Sequence, residues 1–166
     1  MKTKKLVLSS LFIALGVSTS HLIAIPVGVS KCFPVQHLIN VLSAVLLGPF
    51  YALWNAVAIS TLRNLLGVGT LLAFPGSIFG AFLAGFLYKW IKRILPAVIG
   101  EIFGTGIIGS LASYPIAKFL MGTDVAFYFF IVPFLISTIG GSIIGYLILK
   151  ILIRRKPIER WMNEKR

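Results

Sequence analysis

The sequence LLGPF at residues 46–50 lies in the middle of an apolar stretch, residues 33–62, that contains no Asp, Glu, Lys or Arg. A membrane-spanning helix needs about 20 such residues, so this stretch is too long for one ordinary span. Proline cannot continue the hydrogen-bond ladder of a helix, and a Gly-Pro pair is typical of turns. Two interpretations follow: one long kinked helix, or two short helices that form a hairpin at Gly48-Pro49.

The composition indicates that the rest of the chain is also adapted to lipid. Of its 166 residues, 58% are hydrophobic and 12% are charged, and the mean hydropathy is +0.97. Soluble domains carry about 25% charged residues, so an ordinary water-soluble domain is excluded. Four further stretches are long enough for spans, with Lys31 interrupting the first and Glu101 the third: residues 6–32, 64–88, 94–117 and 125–149.

The positions of the basic residues decide between the two interpretations. Sixteen Lys and Arg against four Asp and Glu give a net charge of +12, and cytoplasmic loops near span ends collect Lys and Arg. A hairpin at Gly48-Pro49 places 13 of the 16 basic residues on the cytoplasmic side and only Lys31, Arg63 and Lys118 outside. The charge is therefore interpreted as a topology signal and not as a nucleic-acid-binding surface.

The sequence thus predicts an all-α integral membrane protein with six transmembrane helices and both termini in the cytoplasm. We expect a single domain, residues 1–166, that crosses the cell membrane several times and ends in a basic cytoplasmic tail at 152–166. The N-terminus resembles a signal peptide, but residues 18–21 lack a small-x-small cleavage pattern, so we expect the first helix to be retained. The predicted spans are about 6–24, 35–47, 50–66, 75–92, 96–119 and 126–151.

Motifs for enzymatic chemistry are absent from the sequence. It contains no Gly-Lys-Ser/Thr of a P-loop, no His-Glu-x-x-His and no Gly-x-Ser-x-Gly. One cysteine, Cys32, excludes a disulfide framework and a Cys-based zinc site. We expect no catalytic residue, metal or cofactor in this chain, and any ATP-driven activity to need partner chains.

Polar residues concentrate near the predicted outer ends of the helices. Polar and charged groups at membrane depth are costly and usually face a partner, a cavity or a pathway. Interfacial anchoring is the alternative, which we favour for Lys118, Asp124 and Tyr128. The candidates for ligand binding are Lys31, Gln36, His37, Asn40, Arg63, Asn64, Glu101 and Tyr114, and the candidates for aromatic walls are Phe33, Trp54, Phe74, Tyr114 and Tyr128.

Two charged candidates leave the nature of the ligand open. Arg63 has no acidic residue near it in sequence, which suits an anionic ligand such as a phosphate ester unless Glu101 or another group pairs with Arg63. Glu101 lies about one turn into the fifth helix from the cytoplasmic side. It either pairs with a basic residue such as Lys92 or Arg93, or lines the floor of a cavity.

Small residues recur every fourth position on three predicted helices. Such stripes allow helices to pack closely in lipid, either within one chain or against a partner. Packing within the chain is the favoured interpretation for the fourth helix, and both interpretations stay open for the first and sixth. The stripes are Ser10, Ala14 and Ser18 on the first helix; Gly76, Gly80 and Ala84 on the fourth; and Ser137, Gly141 and Gly145 on the sixth.

Four segments carry a family resemblance: Pro26-Val27-Gly28 with residues 31–37 (KCFPVQH), Arg63-Asn64 with residues 67–70 (GVGT), residues 73–77 (AFPGS) with Gly80-Ala81, and Gly100-Glu101 through residues 104–106 (GTG). They are similar to the substrate-binding S components of energy-coupling factor (ECF) vitamin transporters, and more narrowly to the ThiW type. The resemblance extends from about residue 5 to residue 150.

The resemblance implies a membrane subunit that captures hydroxyethylthiazole, the thiazole precursor of thiamine, from outside. Its implied partners are a transmembrane coupling subunit and two cytoplasmic ATPases, which hydrolyse ATP while the S component topples and delivers the ligand inward. The stripe Ser10, Ala14 and Ser18 occupies the place of the family's Ala-xxx-Ala contact with the coupling subunit, with serine at two positions. The alternatives are a membrane assembly factor without a ligand, or a solitary secondary transporter, although the internal repeats typical of the latter are not found.

Overall fold

A computed structural model describes residues 2–20, 22, 25–27, 30–155 and 158 of the chain. The helical segments between Ile94 and Leu120 follow one another without a break, so the described residues form six helical rods. In chain order the elements are α1 (Lys2–Ser20), β1 (Ile25–Val27), β2 (Ser30–Cys32), α2 (Pro34–Leu46), α3 (Pro49–Leu65), a 3-10 turn (Leu71–Ala73), α4 (Pro75–Ile91), α5 (Ile94–Phe103), a π-helical segment (Gly104–Gly109), α6 (Ser110–Pro115), a second π-helical segment (Ile116–Leu120) and α7 (Ile131–Leu152).

The chain makes a helical hairpin at Gly48-Pro49, so the interpretation as two helices is confirmed. Helix α2 ends at Leu46, and α3 begins with Pro49, where the missing N–H costs no helical hydrogen bond. Gly48 adopts a φ of 96°, in the region where a residue with a Cβ is strained. The turn therefore depends on the glycine as much as on the proline.

Helix α2 is the central element of the bundle. Ten of its 13 residues are buried, and it packs against α1, α3, α4, α5 and α7. Many large apolar side chains on the other helices are exposed instead, among them Phe50, Trp90 and Ile143. Large apolar side chains on the outer surface are the arrangement expected of a protein whose solvent is lipid.

Three helices of the described chain are long and apolar enough to cross a membrane: Leu71–Ile91, Ile94–Leu120 and Ile131–Leu152. Helix α2 is apolar but shorter, at 13 residues. The helical membrane class follows from these lengths, whereas the crossing of all six rods and the cytoplasmic side of the termini remain predictions.

The rods are helical, as the all-α class predicts, and the chain between α1 and α2 adds one short element that the sequence did not indicate. Here β1 and β2 form a two-stranded antiparallel hairpin in which Ile25 pairs with Cys32 and Val27 with Ser30. Strands of three residues are too short to show an alternating pattern in the sequence. The sixth rod also starts later than predicted, at Ile131 instead of residue 126, after turns at residues 127–130.

The fifth rod packs against α4 through backbone contact. A Cβ built on Gly104 would lie 2.6 Å from the carbonyl oxygen of Phe79 and 2.7 Å from the Cα of Gly80, so no larger residue fits there without a shift. The stripe of small residues on α4 therefore serves packing within the bundle, as predicted. The stripe on α7 does so as well, because Gly141 contacts the Pro34 carbonyl and Gly145 packs against Val41.

Candidate ligand-binding site

A cavity of about 670 Å³ opens where α1, α3 and the fifth rod end and where α2, α4 and α7 begin; we call this the cavity end of the bundle. The volume falls within the range of small-molecule sites, about 300–1,000 Å³. Its walls are mostly apolar, with a few polar groups. The lining residues are Ser20, Phe33, Gln36, His37, Arg63, Gly67, Val68, Gly69, Thr70, Leu72, Ala73, Gly76, Ser77, Ala117, Met121, Thr123, Val125, Phe129, Phe130, Pro133, Phe134 and Ser137.

Arg63, in the last turn of α3, contributes a buried guanidinium to the cavity wall. The residue is 2% exposed, and its guanidinium carbon lies 3.7 Å from the centroid of the Phe33 ring, a cation–π contact. Its Nη1 donates a hydrogen bond to the Gln36 side-chain oxygen, and its Nε has no partner among the described residues. The protein thus contacts one face of the guanidinium and bonds its Nη1. The guanidinium still has N–H groups that can donate further hydrogen bonds.

A chain of hydrogen bonds holds Gln36 in place beneath Arg63. The Gln36 Nε2 donates to Ser60 Oγ at 3.0 Å, and Ser60 Oγ lies 3.1 Å from Ser77 Oγ. Both serines also bond the carbonyl of Ala73, at 3.1 and 2.8 Å. We call Gln36, Ser60, Arg63 and Ser77 the Arg63 cluster; it joins α2, α3 and α4 at the cavity.

A second polar cluster lies deeper, around Glu101 on α5. One carboxylate oxygen, Oε1, accepts hydrogen bonds from His37 Nδ1 at 2.9 Å, from Asn40 Nδ2 at 2.9 Å and from Thr105 Oγ1 at 3.2 Å. Its Oε2 has no hydrogen-bond partner in the described part of the chain and faces Gly80, where a built Cβ would lie 2.8 Å away. We call His37, Asn40, Glu101 and Thr105 the Glu101 cluster; of its members only His37 lines the cavity.

The structure corrects the expected surroundings of Glu101. Its acid–base contact is with His37, and not with Lys92 or Arg93; within the described part of the chain this is the one such contact. Glu101 is also completely buried and does not form the cavity floor. The sequence could not show this pairing because 64 residues separate the two side chains.

The remaining predicted residues are distributed unevenly around the cavity. Gln36, His37 and Arg63 line it together, whereas Asn40 is buried behind the wall, with a further contact at 3.3 Å to the Ser77 carbonyl. Asn64 holds the adjoining loop by donating to the carbonyls of Ser60 and Thr70, at 2.8 and 3.0 Å.

Two further predicted residues do not contribute a described group to the cavity. Tyr114 is outside the lining and accepts a hydrogen bond of 3.3 Å from Lys118. The side chain of Lys31 lies outside the described residues.

The aromatic walls were only partly predicted. Phe33 lines the cavity, but Trp54 and Tyr128 are 67% and 60% exposed and point elsewhere. The sequence reasoning missed Phe129, Phe130 and Phe134, which line the cavity from the segment before α7 and its first turn. The signal was the aromatic run at residues 127–130, which was assigned to a span instead of to the turns that precede it.

The residues that precede the N-terminus of α2 are hydrogen-bonded to α7 beside this aromatic wall. The Phe33 N–H donates to Ser137 Oγ at 2.9 Å, and the Cys32 thiol lies 3.1 Å from the Pro133 carbonyl. The small-residue stripe on α1, which was predicted to face a partner, lies on the exposed face of this helix. Its residues are Ser10, Ala14 and Ser18.

These features define a class: a helical membrane protein with a cavity for a small molecule at one end of its bundle. The comparison with family models gives the particular family. Residues 6–155 match the model described as "Thiamine-precursor transporter protein (ThiW)", so the chain belongs to this transporter family and is a ThiW-type protein. Neither a curated protein nor a solved structure matches the chain significantly.

Proposed function

We propose that this chain is the substrate-capture subunit of an ECF-type importer, and that it binds hydroxyethylthiazole in the cavity for delivery into the cell. The observation that supports this most directly is the convergence of Gln36, His37 and Arg63 on one mostly apolar cavity in a chain of the thiamine-precursor transporter family.

The cavity chemistry suits a small heteroaromatic alcohol. A thiazole ring needs apolar and aromatic walls, which Phe33, Phe130 and Phe134 supply. Its nitrogen and its hydroxyl group need a few hydrogen-bonding partners. His37 provides one, because Glu101 occupies its Nδ1 and leaves its Nε2 for a ligand.

The distribution of charge supports capture from outside the cell. The helix ends opposite the cavity carry most of the described basic residues, and cytoplasmic ends collect such residues. The cavity then faces outward. The basic residues concerned are Lys4, Lys5, Lys89, Lys92, Arg93, Lys150, Arg154 and Arg155.

Inward delivery requires partners in this proposal. The sequence has no P-loop, so ATP would be bound and hydrolysed by two ATPase subunits, with no cofactor in this chain. The exposed face of α1 that carries Ser10, Ala14 and Ser18 would contact the coupling subunit. Affinity purification from the native membrane should recover the coupling subunit and both ATPases; recovery of this chain alone would favour a solitary transporter.

Ligand binding is tested by isothermal titration of the detergent-purified protein with hydroxyethylthiazole, with thiamine as the comparator. We expect His37→Ala to weaken hydroxyethylthiazole binding about tenfold, the size of one lost hydrogen bond. Asn40→Ala is the matched control, because Asn40 also bonds Glu101 but does not line the cavity; its folded fraction should bind within about twofold of the wild type. No heat from demonstrably folded wild-type protein would refute the substrate assignment.

A further inference from the structure

We infer that the cavity prefers an anionic ligand over a neutral one: the phosphate monoester of the thiazole alcohol, with its phosphate on Arg63. This inference rests on the proposed function, because it takes the thiazole site as given. It concerns the chemical group that the ligand presents to Arg63.

The first argument is the charge of the cavity wall. Arg63 is buried and lines the cavity, and none of the lining residues is an Asp or a Glu. Burying an unpaired charge is costly, so such groups are normally matched by a partner of opposite charge. Within the described ranges no carboxylate pairs with Arg63.

The described acids are engaged or placed elsewhere. The Oε1 of Glu101 accepts hydrogen bonds from His37, Asn40 and Thr105, and Glu101 does not line the cavity. Asp124 is exposed at the surface and also absent from the lining. The charge of Arg63 is therefore left for a group that enters the cavity.

The second argument is the fixed orientation of the guanidinium. Phe33 covers it at 3.7 Å from the ring centroid, and Gln36 accepts from Nη1. The Nε is buried, and no described residue bonds it. An arginine presents its N–H donors as a rigid fork that matches the oxygens of a phosphate, and the protein has already oriented this fork.

The same charge disfavours a cationic ligand. Thiamine carries a permanent positive charge on its thiazolium ring, which Arg63 would repel because none of the described lining residues is a carboxylate. The expected order of affinity is therefore phosphate ester, then neutral alcohol, then thiamine.

The experiment titrates the purified full-length protein with hydroxyethylthiazole, its phosphate ester, thiamine and inorganic phosphate. A hydrogen bond to a charged group predicts that the ester binds about ten- to a hundredfold more tightly than the alcohol. The ratio of the two affinities should fall from pH 7.5 to pH 5, because the second pKa of a phosphate monoester is about 6. Using the ratio removes changes in the protein that affect both ligands alike.

Arg63→Gln should bring the ester to within about threefold of the alcohol, whereas Arg63→Lys keeps part of the preference through its charge. Lys118→Gln is the matched control, because it removes a basic residue at the cavity end that does not line the cavity. If Arg63→Gln does not fold, the ratio of the two wild-type affinities at pH 7.5 decides. Equal affinities for ester and alcohol would overturn the inference and leave the proposed function standing; binding of neither thiazole compound would overturn both.

Discussion

The Arg63 cluster and the Glu101 cluster are both buried in the bundle, but their charged groups differ in the number of hydrogen-bond partners and in their access to the cavity. Glu101 is surrounded by three donors from α2 and the fifth rod, all directed at one oxygen. Arg63 has one side-chain acceptor, a covering ring and an unused nitrogen, and it faces the cavity. One oxygen of the buried acid thus receives three donors from within the protein, whereas the buried base keeps donor capacity at the cavity.

The difference separates a structural role from a binding role. A buried charge that is surrounded by donors and removed from any cavity holds helices together, because removing it leaves several donors unpaired. A buried charge that lines a cavity without a counter-ion is placed to receive one. His37 links the two clusters, since it bonds Glu101 and also lines the cavity.

The largest effect should follow from removing the acid of the internal cluster. Glu101→Leu leaves His37, Asn40 and Thr105 without their shared acceptor, so we expect a loss of about 3–5 kcal/mol in the free energy of unfolding. The measurement is thermal unfolding of the detergent-solubilised protein. Asp124→Asn, which changes an exposed acid, is the control. Equal melting temperatures for the two variants would show that the Glu101 cluster does not hold the bundle together.

A smaller loss of stability is expected from alanine substitutions on α4, and it should differ between two glycines on the same face of this helix. A Cβ on Gly80 would overlap Thr105 Oγ1 and lie 2.8 Å from the Glu101 carboxyl carbon, so Gly80→Ala should cost about 1–3 kcal/mol. A Cβ on Gly76 would lie 2.9 Å from the edge of the Phe134 ring, which borders the cavity and has room to move. Gly76→Ala should therefore reduce ligand affinity more than stability.

Gly140→Ala is the control for both glycines, because a Cβ there meets nothing within 4 Å. Thermal unfolding and ligand titration of the three variants test the comparison directly. Equal stability losses at positions 76 and 80 would contradict the distinction between the packed Glu101 cluster beside Gly80 and the open cavity beside Gly76.

The smallest effect is expected at Tyr114, outside both clusters. Tyr114→Phe removes the acceptor of the exposed Lys118 bond but keeps the ring, whose centroid is 5.7 Å from Lys118 Nζ. Exposed contacts of this kind contribute about 0–1 kcal/mol, so stability should stay within about 0.5 kcal/mol of the wild type and affinity within about twofold. A tenfold loss of hydroxyethylthiazole affinity in the same titration would instead make Tyr114 a ligand contact.

The helical class and the position of the helical hairpin could be predicted because they depend on local chemistry. Apolar length, Gly48-Pro49 and the basic residues are visible without any tertiary contact. The polar candidates could likewise be assigned to helix ends, and three of them, Gln36, His37 and Arg63, line one cavity. What could not be predicted is which candidates share a contact, since that depends on how the helices rotate about their axes.

Asn40 and Glu101 show this limit most clearly. Sequence alone made Asn40 a ligand contact and left Glu101 without a specific partner, because depth along a helix does not say which neighbour a side chain faces. The bundle turns both inward, where they bond each other at 2.9 Å. The packing of α2 against α5 brings these groups together.

The sequence by itself determined that this protein is apolar and helical and that its chain reverses at Gly48-Pro49, because hydropathy and proline act within a few residues. It also contained the segments by which the chain resembles the ThiW family. Only the tertiary structure decided that one oxygen of Glu101 is bonded by His37 and Asn40, while Arg63 faces the cavity without a carboxylate among the described residues. The reason is physical: a buried charge is defined by the groups that packing places around it, and those groups come from distant parts of the chain.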